Sequence, residues 1–130
     1  MGQAKPKIEE GSPEARELLL RALLRVGDQW ELSPSILASI LRKNRSRLTQ
    51  WQQNGGLPEN LQPATKETLQ HLLAIYRSLG AIFQSPSDQV KWLKADHPDL
   101  GGKPLAMMQQ SIQGLIEVRT YLDYIRGRGA

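Results

Sequence analysis

The chain has no cysteine among its 130 residues, which excludes disulfide scaffolds, thiol chemistry and cysteine-bound zinc and makes a reducing cytoplasm the expected compartment. Long apolar runs are also missing. The longest is four or five residues, far short of the ~20 that span a bilayer, and the N-terminal "MGQAKPKIEEGSPE" has no apolar signal core. A soluble protein without a membrane partner is expected. No alternating strand pattern of any length occurs, so the fold class is all-α. Histidine is scarce. His71 lies among apolar neighbours between Leu69 and Tyr76 and reads as a partly buried structural residue; His97 in "KADHPDLGG", beside Asp96 and Asp99, reads as a helix stop rather than a metal ligand. "GGKP" lacks the glycine spacing and the Ser/Thr of a phosphate loop. No nucleophile, base and orienting acid fall at a recognisable spacing. No metal or cofactor is called for, and the chain is not expected to be an enzyme.

What is present is a series of helix starts and stops. Residues 1–11 are polar and read as a mobile arm. "SPEARELLLRALLRVGDQW" offers Ser12 as N-cap and Pro13 at the first helical position, with Ala15, Leu18, Leu19, Ala22, Leu23 and Val26 as its apolar face. "SPSILASIL" repeats the Ser-Pro start at Ser33 and Pro34 for a short helix carrying Ile36, Leu37, Ile40 and Leu41. Asn44 caps a third helix with Leu48 and Trp51 inward, and "NGGLPENLQP" ends it. A long helix from Ala64 follows, with Leu69, Leu72, Leu73, Tyr76 and Phe83 at helical steps; Gly80 within it predicts close packing or a break. Short helices around Val90 to Leu93 and from Pro104 precede a last helix with Ile112, Leu115, Val118, Leu122 and Ile125 on one stripe, ending at Gly127. Met107 and Met108 read as core filler, and Gly114 predicts a close helix crossing.

The charge is concentrated. Of seventeen basic residues, Arg42, Lys43, Arg45 and Arg47 lie together, with no acidic residue between Glu31 and Glu59, and the formal net charge is +4. Two short helices joined by a few residues, the second basic, form the layout of a helix-turn-helix. Small Ala38 suits the helix crossing, while Arg45, Ser46, Arg47, Thr49 and Gln50 remain outward, as residue types that suit base edges and phosphates in a major groove. Lys43 and Asn44, at the helix N-terminus, are placed to meet phosphate. Gln52, Gln53 and the arm are candidates for further backbone contact. "ASILRKNRSRLTQW" resembles the Xre-type helix-turn-helix pattern. It departs at Arg42, where glycine is usual; a left-handed residue without glycine costs about 1 kcal/mol, so a looser turn is expected.

Downstream, Trp92-Leu93, Leu100-Gly101-Gly102, Pro104-Leu105, Ser111 with Gly114, and Val118, Leu122, Ile125 and Gly127 resemble the toxin-binding domain of Xre/MbcA/ParS-type antitoxins. The resemblance implies a bacterial type II antitoxin. Its N-terminal part would bind operator DNA to autoregulate the operon, and its C-terminal part would bind a RES-type, NAD-consuming toxin and neutralise it by occluding the active site. On the residues themselves, Trp92 fits a core or a contact role equally. Tyr121 and Tyr124 lie off the apolar stripe, where amphipathic aromatics serve interfaces. Arg126 and Arg128 are expected on a glycine-loosened tail that enters an anionic cleft of the toxin, or else on a frayed terminus of no consequence.

The expected organisation is an arm at 1–11, a DNA-binding domain at 12–58, a connecting helix at 59–83 and a toxin-binding domain at 84–130. A homodimer is expected, since one helix-turn-helix reads only a half-site. Two alternatives stay open: a transcriptional regulator of the same architecture acting without a toxin, and a helical protein-protein adaptor whose basic stretch is a solvated helix face that never meets DNA.

Overall fold

The computed structural model of the chain describes residues 8–128. Among them run seven α-helices: α1 (Pro13–Gln29), α2 (Pro34–Ile40), α3 (Arg45–Asn54), α4 (Pro63–Ile82), α5 (Pro86–Lys94), α6 (Pro104–Gln110) and α7 (Ile112–Arg128). No strand forms among these residues; the sole extended pairing is an isolated bridge between His97 and Gly102. The all-α expectation holds. None of the described helices is long and apolar enough to cross a membrane.

Local chemistry explains most of the boundaries. Five helices begin on proline, whose fixed φ suits the first turn and whose missing N–H would have no intrahelical partner there. Four starts carry a side-chain cap, that of α7 being Ser111, whose Oγ accepts from the Gly114 amide (2.9 Å). The Ala15 amide donates to Ser12 Oγ (3.1 Å), the Ile36 amide to Ser33 Oγ (3.2 Å) and the Arg47 amide to Asn44 Oδ1 (2.9 Å).

The exit of α2 corrects an expectation. Arg42 has φ +60 and closes a tight turn: its amide donates to the Ser39 carbonyl (3.0 Å), and the Lys43 amide donates to the Ala38 carbonyl (2.9 Å). This is the left-handed helix ending usually built on glycine. The turn is therefore not loose. α1 ends the same way at Glu31, φ +55, with the Leu32 amide donating to the Gly27 carbonyl (2.9 Å).

One contiguous apolar cluster draws on all seven helices, from Leu20, Leu23 and Val26 on α1 to Leu115, Val118 and Leu122 on α7. Two face assignments change. Leu18 is exposed, whereas Leu20 is buried; the inward stripe of α1 runs through Leu20, Leu23, Val26, Gly27 and Trp30. Gly80 faces open space, and α4 continues past it unbroken to Ile82, so it marks neither close packing nor a break.

Fully buried Trp30 ties the end of α1 to α4 and α5. Its indole Nε1 donates to Gln89 Oε1 (3.0 Å), and Gln89 Nε2 donates to the Phe83 carbonyl (3.1 Å). The ring lies tilted against Tyr76, centroids 5.8 Å apart, and the Tyr76 hydroxyl donates to Gln29 Oε1 (2.6 Å).

α7 is held on two sides. Against α4, Arg119 donates to His71 Nδ1 (3.0 Å) and Arg126 to the hydroxyl of buried Ser78 (3.2 Å). Both donors and both acceptors are seven residues apart in the chain, two helical turns, so the contacts lie along one seam. Against α6, buried Gly114 sits on the Met107 backbone, and a Cβ there would overlap the Met107 carbonyl, its carbon only 2.8 Å away. Ser111 is the single residue between the two helices, and its Oγ accepts from the Gly114 amide (2.9 Å). The predicted close crossing is present.

Of the expected N-terminal arm, residues 1–7 lie outside the described residues. Residues 8–11 lead into α1 through a turn, and Glu10 pairs there with Lys66, whose ammonium holds the Glu10 carboxyl below the usual carboxylate range by hydrogen bonding and charge. The pair is solvent-exposed and contributes little to stability.

Gly114→Ala should lower unfolding stability by about 1–3 kcal/mol, since backbone rather than a flexible side chain must move. Ser111→Ala should cost about 1 kcal/mol. Urea titration of both variants measures the two effects.

Candidate functional site

α3 is fixed at both ends. Asn44 caps its start; at its end Gly55 adopts φ +76, and the Gly56 amide donates to the Trp51 carbonyl (3.2 Å). The chain is then pinned to α1, because the Leu57 amide donates to the Arg16 carbonyl (3.2 Å) and Arg16 donates back to the Leu57 carbonyl (3.4 Å). Leu48 and Trp51 are buried as expected. The other side of the helix is open. Arg45, Ser46, Arg47, Thr49 and Gln50 are exposed, and with Asn44 and Gln53 they line a shallow concavity of about 580 Å³.

This face holds two guanidinium groups, two hydroxyls and three carboxamides, with no carboxylate. Such a surface can neutralise phosphates and hydrogen-bond base edges. Thr49 Oγ1 donates to the Arg45 carbonyl one turn back (3.1 Å), which leaves its oxygen free to accept. The Oδ1 of Asn44 is taken by capping, so only its amide nitrogen remains to donate outward. Lys43 is half-buried at the turn and does not line the concavity.

Four of the five residues singled out in the C-terminal half come together on another face. Trp92, half-buried on α5, lies beside Tyr121 of α7 with centroids 6.4 Å apart and rings 22° from parallel, and His97 packs on it at 4.7 Å. His97 Nε2 lies 2.8 Å from the Trp92 carbonyl, and the His97 carbonyl accepts from the Leu100 and Gly101 amides. This loop therefore stops α5 and buttresses the indole, and no three or more His, Asp or Glu residues cluster together among the described residues. One turn along α7, Tyr124 is 59% exposed, with the Arg128 guanidinium 5.6 Å from its ring centroid. Tyr121, Tyr124, Ile125 and Arg128 line a concavity of about 740 Å³ with Asp99.

Arg126 does not join this face. α7 remains helical through Gly127 to Arg128, so the expected glycine-loosened tail is absent up to that residue, and Arg126 points to Ser78 on α4 instead. Residues 129 and 130 lie outside the described residues. The sequence reading missed Asp99 and placed Ile125 only on the apolar stripe. The spacing of 121, 124, 125 and 128 defines one side of a helix and was available to find the latter; Asp99 arrives through a loop and had no such signal.

The two arginines should separate on substitution. Arg126→Ala leaves a buried hydroxyl without its donor and should lower stability by about 1 kcal/mol; Tyr124→Ala and Arg128→Ala should each change it by less than about 0.5 kcal/mol. Thermal and urea unfolding of the three variants provide the comparison.

A family model for the antitoxin Xre/MbcA/ParS C-terminal toxin-binding domain matches residues 78–128. The match begins at Ser78, inside α4, and takes in α5, α6, α7 and the whole aromatic face. No curated protein matches the chain. Residues 78–128 are therefore similar to the toxin-binding domains of Xre/MbcA/ParS-type antitoxins, and a toxin is the partner that such a segment implies.

Proposed function

We propose that the chain neutralises a RES-type, NAD-consuming toxin by occluding its active site, and that it represses its own operon by binding operator DNA through α2 and α3. The observation that carries this reading is the joining, on one core, of a segment matching a toxin-binding domain to a helix pair whose outward face is basic and free of carboxylates. In this reading α2 and α3 form a helix-turn-helix and α3 enters the major groove. Arg45, Arg47 and Gln50 read base edges; Ser46, Thr49 and the amide nitrogen of Asn44 contact bases or backbone; Lys43 contacts phosphate. The resemblance of "ASILRKNRSRLTQW" to the Xre pattern supports the assignment. Homodimerisation supplies the second half-site.

On the toxin side, Trp92, Tyr121, Tyr124 and Arg128 form the contact surface. Tyr and Trp give large area at little entropic cost, and arginine adds hydrogen bonding to anionic groups. Arg126 supports this surface from outside it, by holding α7 against α4 rather than by entering the toxin. The chain performs no chemistry of its own: it excludes substrate by covering the cleft. The RES assignment rests on the family resemblance.

Three outcomes are expected. The Arg45→Ala, Gln50→Ala double variant should lose preference for the duplex upstream of the gene over unrelated DNA, by about 1–3 kcal/mol per lost base contact in a competition assay. Wild-type affinity should fall steeply with salt; unchanged operator preference in the double variant would remove α3 as the reading element. In cells co-expressing the product of the adjacent reading frame, Tyr124→Ala with Arg128→Ala should fail to relieve toxicity while unfolding at the wild-type temperature. Full rescue by that double variant would remove the aromatic face from the toxin contact.

A further inference from the structure

Arg42, like Lys43, lies at the turn rather than on the outward face of α3, and it is the member of the basic cluster that hydrogen-bonds to another helix. It occupies a left-handed turn position, φ +60, that glycine fills without strain. Its side chain crosses to α6 and makes a fork: one guanidinium nitrogen donates to the Gln109 carbonyl and the other to the Met108 carbonyl (2.7 Å). These carbonyls belong to the last turn of α6, where backbone acceptors lack intrahelical partners and the helix dipole favours a cation. A second tie lies beside it, from Gln109 Nε2 to Ser39 Oγ (3.3 Å). A glycine at position 42 would relax the backbone and lose the fork.

The place of this contact gives it a further role. α3 starts three residues after Arg42, and α7 starts two residues after α6 ends, with Gly114 seated on the Met107 backbone. α2 packs on both α3 and α6, and α6 packs on α7. The Arg42 fork thus stands on a continuous path from the basic face of α3 to the helix that carries Tyr121 and Tyr124. We infer that Arg42 is a positioning residue for DNA reading, not a DNA contact, and that its fork makes duplex binding by α3 and the set of the α6–α7 corner depend on one another. This rests on the DNA-binding reading above. Coupling of this kind is reciprocal, so whatever engages α7 and shifts the corner alters DNA affinity by the same factor that DNA alters its own.

The test uses the full chain and a labelled duplex carrying the sequence upstream of its reading frame. Wild type, Arg42→Gly and Arg42→Lys are compared in affinity across a salt series and in amide hydrogen exchange over residues 107–115 with and without duplex. Duplex should slow exchange over that segment in wild type. In Arg42→Gly that slowing should vanish and affinity should fall about tenfold, while the slope of log affinity against log salt stays at the wild-type value; lysine should restore part of both. A slope reduced by about one would show that Arg42 touches phosphate and would overturn the positioning role. Equal duplex-induced slowing in wild type and Arg42→Gly would overturn the coupling. Should the glycine variant unfold, Arg42→Gln, which keeps a long polar side chain without the charged fork, gives the same comparison. Wild type that fails to bind the duplex overturns the DNA reading and this inference together, whereas binding by wild type matched in every readout by the variants overturns only the inference.

Discussion

A buried indole N–H needs an acceptor, and in this protein that need joins the two halves of the chain. Trp30 ends the first helix with its ring fully buried, and the acceptor it finds is Gln89, fifty-nine residues away on α5. Leaving the indole unpaired would cost roughly 1–3 kcal/mol, so α5 docks where that bond is made. Gln89 then donates to the chain just after α4, and Tyr76 closes the other side of the ring. The position of α5 decides where Trp92 sits, and Trp92 decides where the aromatic face begins. The polar tie at one end of α1 thereby sets the geometry of a surface built from α5 and α7.

The two candidate faces are built by opposite means. α3 presents a polar surface from a helix whose ends are capped and pinned to neighbours, so orientation is set by backbone hydrogen bonds at its termini. α7 presents an aromatic surface and is oriented along its length, by the Arg119 and Arg126 contacts with α4 and by the glycine contact with α6. Polar readout needs placement to a few tenths of an ångström, which end-capping supplies. Aromatic contact depends more on buried area and tolerates small shifts of the supporting helix.

The helices were legible because their starts are chemical. Ser-Pro at 12–13 and 33–34, Asn44, and Pro104 act on the next few residues, so no knowledge of tertiary structure is required to read them. The outward residues of α3 were legible for a related reason: Leu48 and Trp51 fix the inward side, and the rest follows from the helical repeat. What failed depended on distant partners. Leu18 and Leu20 are equally apolar, and the choice between them is made by where the other helices lie. Gly80 has the same composition signature as Gly114, yet only Gly114 has a helix against it. Arg126 read as a free tail because its partner Ser78 lies 48 residues away on α4.

The exposed side of α3 also bears on how such a protein diverges. Arg45, Ser46, Arg47, Gln50 and Gln53 make no side-chain hydrogen bond to the scaffold among the described residues, and Thr49 bonds only within its own helix. Replacing them leaves the core, the caps and the aromatic face untouched, with stability effects expected within about 0.5 kcal/mol. Such positions are free to drift and be selected. On the DNA-binding reading proposed above, a few substitutions along this one stripe change sequence preference without a compensating change elsewhere, so two copies of the scaffold can part in what they bind while keeping the same core.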